Sequence, residues 1–123
     1  GDLFMRQRRL LEGRSFLEPH LNLSSFEPGI LILYARMIWY LEERSEAIEA
    51  IQNRIKQTKE KVPPEWRDEL AFFLYKEGRY GEAKRQWQIL LEENRGTPYE
   101  TQNHARLIRR IKESEQNFKQ EDL

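Results

Sequence analysis

A chain of 123 residues can close one hydrophobic core and hardly two. Its 21 Lys and Arg balance 21 Asp and Glu, which weighs against a general polyanion binder. The absence of cysteine removes disulfides, thiolate chemistry and zinc–thiolate sites together.

Charged residues make up 34% and hydrophobic ones 38%, with a mean hydropathy of -0.88, so a surface-rich, elongated fold suits the chain better than a sphere. The 11% aromatic content argues against disorder. The opening "GDLF" carries no signal peptide and reads as an engineered boundary, with Gly1 a cloning remnant and further chain expected before it. Residues 1–27 read as an N-terminal helical segment, an incomplete repeat. In it "LFMRQRRLLEG" is a helix closed by Gly13, and Leu17, Leu21 and Leu23 suggest a second helix despite Pro19.

From Pro28 onward five helices are expected. In "PGILILYARMIWYLEE" (28–43) apolar residues cover most of the wheel, so the helix should be deeply packed. Its apolar run is broken by Arg36 and is too short to span a bilayer. Ser45 is placed to cap the next helix, where Ala47, Ile48, Ile51 and Ile55 recur at helical spacing. "VPPE" (62–65) stops it, and Pro64 suits the first turn of a helix burying Trp66, Leu70, Phe73 and Leu74. Gly78 ends that helix. "EAKRQWQILLEEN" (82–94) follows, "RGTP" (95–98) breaks the chain, and Thr97 with Pro98 starts a last helix through about Glu115. No stretch alternates with period two for long enough to make a strand. The expected fold is all-helical.

The helices repeat. Pro28, Pro64 and Pro98 lie 36 and 34 residues apart, and seven residues after each stands an alanine: Ala35, Ala71 and Ala105. Ala47 and Ala83 are again 36 apart, with Ile51 and Trp87 four residues beyond them. Periods in this range mark stacked supersecondary units. A small residue where two helices cross lets them approach, and a larger one would push them apart. Gly78 fits a left-handed turn residue that needs no strain in glycine.

This pattern resembles the tetratricopeptide repeat (TPR), a helix–turn–helix unit of 34 residues. The match is fullest over 64–97, where Leu70, Ala71, Leu74, Gly78, Tyr80, Ala83, Trp87 and Leu90 occupy the family's signature places. Over 28–63 the unit has Tyr34, Ala35, Ile38, Ala47 and Ile51, but Glu42 in place of the glycine and Arg44 in place of the tyrosine. The third unit supplies only a first helix, with Ala105, Ile108 and Ile111; Asn117 stands where a second helix would carry alanine. The resemblance implies an all-α, right-handed solenoid of antiparallel helix pairs. Residues 28–63 and 64–97 would be two repeats, 98–116 a capping helix and 117–123 a polar tail.

The resemblance also implies a concave groove lined by first helices, holding a partner protein or peptide, within a larger protein or assembly. By position the groove would show Ile32, Arg36, Trp39 and Tyr40, then Asp68, Phe72, Tyr75 and Lys76, then Gln102, Arg106, Arg109 and Arg110. The binding residues expected are Arg36, Trp39, Tyr40, Phe72, Tyr75, Lys76, Arg106, Arg109 and Arg110. For Trp39 and Phe72 ordinary packing is the competing expectation. The three arginines are expected to share one face, so the partner should bring acidic groups with apolar anchors. The family's carboxylate clamp needs lysine and asparagine where this chain has Ile32, Arg36, Asp68 and Phe72, so no clamp of that kind is expected.

The alternatives are self-association through exposed aromatics and, less favoured, RNA binding by the basic face. His20 and His104 are too far apart for a paired motif, and partial burial between helices is expected of His104. "EERSE" (42–46) reads as a solvated helix junction. Gly78 and Gly81 lack the strand and Lys-Ser pair of a phosphate loop. No catalytic residue, metal or cofactor is expected, and a cytoplasmic setting is favoured over a periplasmic or anchored one.

Overall fold

A computed structural model describes residues 2–19 and 28–121. The expected helix around Leu21 and Leu23, and His20, lie outside them. Six helices form among the described residues, and no strand: α1 (Asp2–Leu17), α2 (Pro28–Tyr40), α3 (Arg44–Gln57), α4 (Pro64–Lys76), α5 (Tyr80–Glu93) and α6 (Pro98–Glu121). Among the described residues, none is long and apolar enough to cross a membrane. Contacts divide the chain into two units, residues 1–61 and 62–123.

In the first unit α2 packs against both α1 and α3. Leu31, Ala35 and Ile38 on α2 and Ala47, Ile48 and Ile51 on α3 are buried. The deep packing expected of α2 is confined to part of its circumference. Leu33 is 48% and Tyr40 61% exposed, because α1 and α3 leave open the side of α2 that carries Leu33, Arg36 and Tyr40. Nor does α1 end at Gly13, but continues to Leu17. The glycine serves a close approach instead: a Cβ there would lie 2.6 Å from Met37 Cε. Arg14 fastens the helix further, its guanidinium donating to Glu43 and Glu46 on and before α3.

In the second unit α5 packs against α4 on one side and α6 on the other. Its core holds Trp66, Leu70, Ala71, Phe73, Leu74, Ala83, Trp87, Leu90, Leu107 and Ile111. The α4–α5 pair is antiparallel: Arg67 near the start of α4 reaches Glu93 at the end of α5, while Tyr75 late in α4 meets Tyr80. Pro64 stands in the first turn of α4. Thr97 caps α6, its Oγ1 accepting from Glu100 N at 3.3 Å, while Glu100 Oε2 accepts from Gly96 N at 3.4 Å. The residues expected as a polar tail are largely helix, since nothing after Pro98 breaks α6 before Glu121. Asn117 on this extension donates to Tyr75 Oη at 2.7 Å.

The two units repeat one turn atom for atom. Gly78 N donates to Tyr75 O and Arg79 N to Leu74 O; 36 residues earlier Glu42 N donates to Trp39 O and Glu43 N to Ile38 O. This is the paired bonding that closes a helix through a left-handed residue. Gly78 has φ 79° and Glu42 has φ 66°, the same conformation without glycine's freedom. The departure Glu42 makes from the repeat pattern therefore changes the residue and leaves the turn. Side chains at such φ cost roughly 1 kcal/mol or more. Glu42→Gly should accordingly stabilise the protein by about 1 kcal/mol in urea denaturation. A neutral or destabilising result would show that Glu42 earns its place through contacts of its own.

One consequence corrects the cap expected at Ser45. The residue after the left-handed one, Glu43 or Arg79, is the N-cap of the next helix, so Ser45 lies inside the first turn of α3 and is exposed.

Candidate interaction surface

Within the second unit, three cross-helix contacts join the side of α4 that carries Asp68, Phe72, Tyr75 and Lys76 to α6. At one end Asp68 is surrounded by donors. Trp87 Nε1 donates to its Oδ1 at 3.0 Å, and the Arg106 guanidinium donates to both oxygens at 3.2 and 2.9 Å. The hydrogen bond to Asp68 raises the Arg106 pKa above its ordinary value. Burial, with the Asp68 charge adding to it, pushes the neighbouring Tyr99 hydroxyl up to about 12.

At the other end Tyr75 is locked. It packs edge-on against Tyr80 at 5.1 Å between ring centres, lies 6.1 Å from Trp87, and accepts the Asn117 hydrogen bond. Between these ends sits Phe72, half-buried, with Lys76 Nζ 5.4 Å and the Arg110 guanidinium 6.0 Å from its ring centre. Such cation–aromatic contacts contribute about 0.5–1 kcal/mol each when exposed. Arg110 also donates to Glu113 at 3.4 Å, whereas Lys76 has no carboxylate partner among the described residues.

The nine side chains expected to bind a partner thus fall into separate groups. Phe72, Lys76 and Arg110 converge, Tyr75 and Arg106 are engaged in packing and pairing, and Arg109 stands apart. The common face expected of the three arginines does not form: Arg106 and Arg110 turn to α4, while Arg109 is exposed beside Ala105 and Ile108. A rotation of 100° per residue separates Arg109 from Arg110 along α6. His104 and Ala105 are also exposed, against the partial burial expected of His104, because no helix of the second unit covers that side of α6.

In the first unit Arg36 and Tyr40 lie exposed on the open side of α2, with Trp39 half-buried beside them. The Arg44 guanidinium stacks 4.7 Å over the Trp39 ring. Residues 39 and 44 are the 36-residue counterparts of Tyr75 and Tyr80, so arginine performs over tryptophan the covering role that one tyrosine performs over another. Sequence reasoning missed the Asp68–Trp87–Arg106 cluster. The Trp87 N–H, which needs a partner once buried, was the available signal.

Compared with protein-family models, curated proteins and solved structures, the chain matches none of them.

Proposed function

We propose that this chain is a tetratricopeptide-like repeat module that binds a partner protein and catalyses nothing. The recurrence at 36 residues supports the repeat reading: the same left-handed turn, fully buried alanines at 35 and 71 and at 47 and 83, and a stacked pair at 39/44 and 75/80. The observation that carries the binding reading is Phe72, a half-buried aromatic flanked by two cations. An acidic peptide with an apolar anchor would place the anchor on the ring and its carboxylates on Lys76 and Arg110. Partly exposed ion pairs contribute about 0–1 kcal/mol, so the aromatic carries most of the affinity.

Selection of short displayed peptides on the immobilised protein should enrich sequences with Asp or Glu next to Phe, Leu or Trp. Phe72→Ala should weaken the enriched peptides about tenfold, more than Arg110→Gln, which should instead flatten the salt dependence. Tyr75 is a poor probe, since its removal would loosen the packing around Trp87. Enrichment of no such peptide, or binding untouched by Phe72→Ala, would remove this reading. Self-association through Leu33 and Tyr40 on α2 is the competing one, and a concentration-dependent dimer in sedimentation without peptide would favour it.

A further inference from the structure

The uncovered side of α6 is a second surface that the second unit leaves unused. Stepping 34 residues back from α6 lands on α4, so Ala105 corresponds to Ala71, Ile108 to Leu74, Arg109 to Tyr75 and Lys112 to Gly78. On α4 that side holds α5: Ala71 and Leu74 are buried, and Tyr75 packs on Tyr80 and Trp87. The first unit treats the counterpart of the same side alike, with Ala35 and Ile38 buried on α2, which packs on α3. Among the described residues α6, unlike α2 and α4, leaves it open, as a shallow cleft of about 490 Å³ lined by His104, Ala105, Ile108, Arg109, Lys112, Glu113 and Gln116.

The substitutions along this side state what would fit it. The alanine that permits a close helix crossing and the branched apolar residue one turn on are retained. The tyrosine and glycine have become Arg109 and Lys112, neither with a carboxylate partner among the described residues, and Glu113 is already joined to Arg110. A helix laid here as α5 lies on α4 would bring Tyr80, not an acid, to Arg109, since Tyr80 is what meets Tyr75.

We propose that this side of α6 docks an amphipathic helix of a partner protein, one with a small residue against Ala105 and acidic residues facing Arg109 and Lys112. The occupant is helical because the two covered counterparts are covered by helices, and acidic because the exposed charges are basic. This site is separate from the Phe72 surface and does not depend on it.

The probe is a synthetic peptide of residues 79–94 carrying Arg79→Glu and Tyr80→Glu, which keeps Ala83 and Trp87 and places acids where α5 would meet the counterparts of Arg109 and Lys112. Fluorescence anisotropy of the labelled peptide should show saturable binding to the full chain. Ala105→Arg, a change at an exposed position, should weaken it at least about tenfold. Arg109→Glu should weaken it several-fold and remove most of its salt dependence, while Phe72→Ala should leave it unchanged. No saturable binding, equal binding by Ala105→Arg, or loss of binding in Phe72→Ala would overturn the proposal. Tighter binding of a single-stranded RNA oligonucleotide, abolished by Arg109→Glu, would overturn it in favour of nucleic acid.

Discussion

Replacing Trp87 by alanine should destabilise the second unit by about 3–5 kcal/mol, the largest effect expected of any single change in this chain. Two losses combine. The indole is 1% exposed, so its removal leaves a cavity between α4 and α5 that the flanking Tyr75 ring cannot fill without leaving Tyr80 and Asn117. Its N–H also disappears from Asp68, which then relies on Arg106 alone. Trp87→Phe separates the two: much of the ring volume stays and the donor goes, so it should cost less than half as much. Urea denaturation followed by circular dichroism gives both values, and the slope of the transition shows whether the units melt together. If Trp87→Ala were within about 1 kcal/mol of the parent, the packing of α4 on α5 would have to be redrawn.

Features that follow from volume and backbone conformation were legible in the sequence. An alanine every 36 residues has few explanations other than a crossing, and Ala35, Ala47, Ala71 and Ala83 are all fully buried. Gly78 marks a left-handed residue because glycine is the cheap solution there. Glu42 hid the same turn, because the paired backbone hydrogen bonds hold in a left-handed conformation a residue that does not prefer it. Gly13 misled in the opposite direction: glycine can end a helix or admit a neighbour into it, and only the position of Met37 decides between them. The end of α6 was missed because polar residues without glycine or proline are compatible with both a tail and a helix, and the hydrogen bond from Asn117 to Tyr75 crosses 42 residues.

The candidate surface was less legible than the fold. Positions along one helix were read correctly as neighbours, but which cation turns toward which helix depends on rotation about the α6 axis. A difference of one residue there separates Arg109 from Arg110. The indole of Trp87 likewise supplies volume, which periodicity reveals, and a donor whose acceptor lies on another helix. Pairings of that kind, Asp68 with Arg106 and Phe72 with Arg110, span 38 residues each and leave no trace in local spacing.

Ala83→Leu and Ala105→Leu make the same chemical change at two alanines of one repeating pattern, and they should give opposite results. Ala83 is fully buried where α5 packs on α4, a helix whose own Ala71 is fully buried too. The extra carbons have no free volume to enter, so the helices must separate or nearby side chains must leave their preferred rotamers, costing about 1–3 kcal/mol. Part of that strain would fall on Trp87, one turn further along the same face, and lengthen its hydrogen bond to Asp68. Ala105 occupies on α6 the place that Ala71 holds on α4, and it meets solvent, so its leucine should change stability by about 0.5 kcal/mol or less. Urea midpoints of the two variants and the parent decide the matter. An Ala83→Leu protein as stable as the parent would refute the close crossing of α4 and α5. An Ala105→Leu protein destabilised as much as Ala83→Leu would mean that the open side of α6 is covered by another part of the same chain.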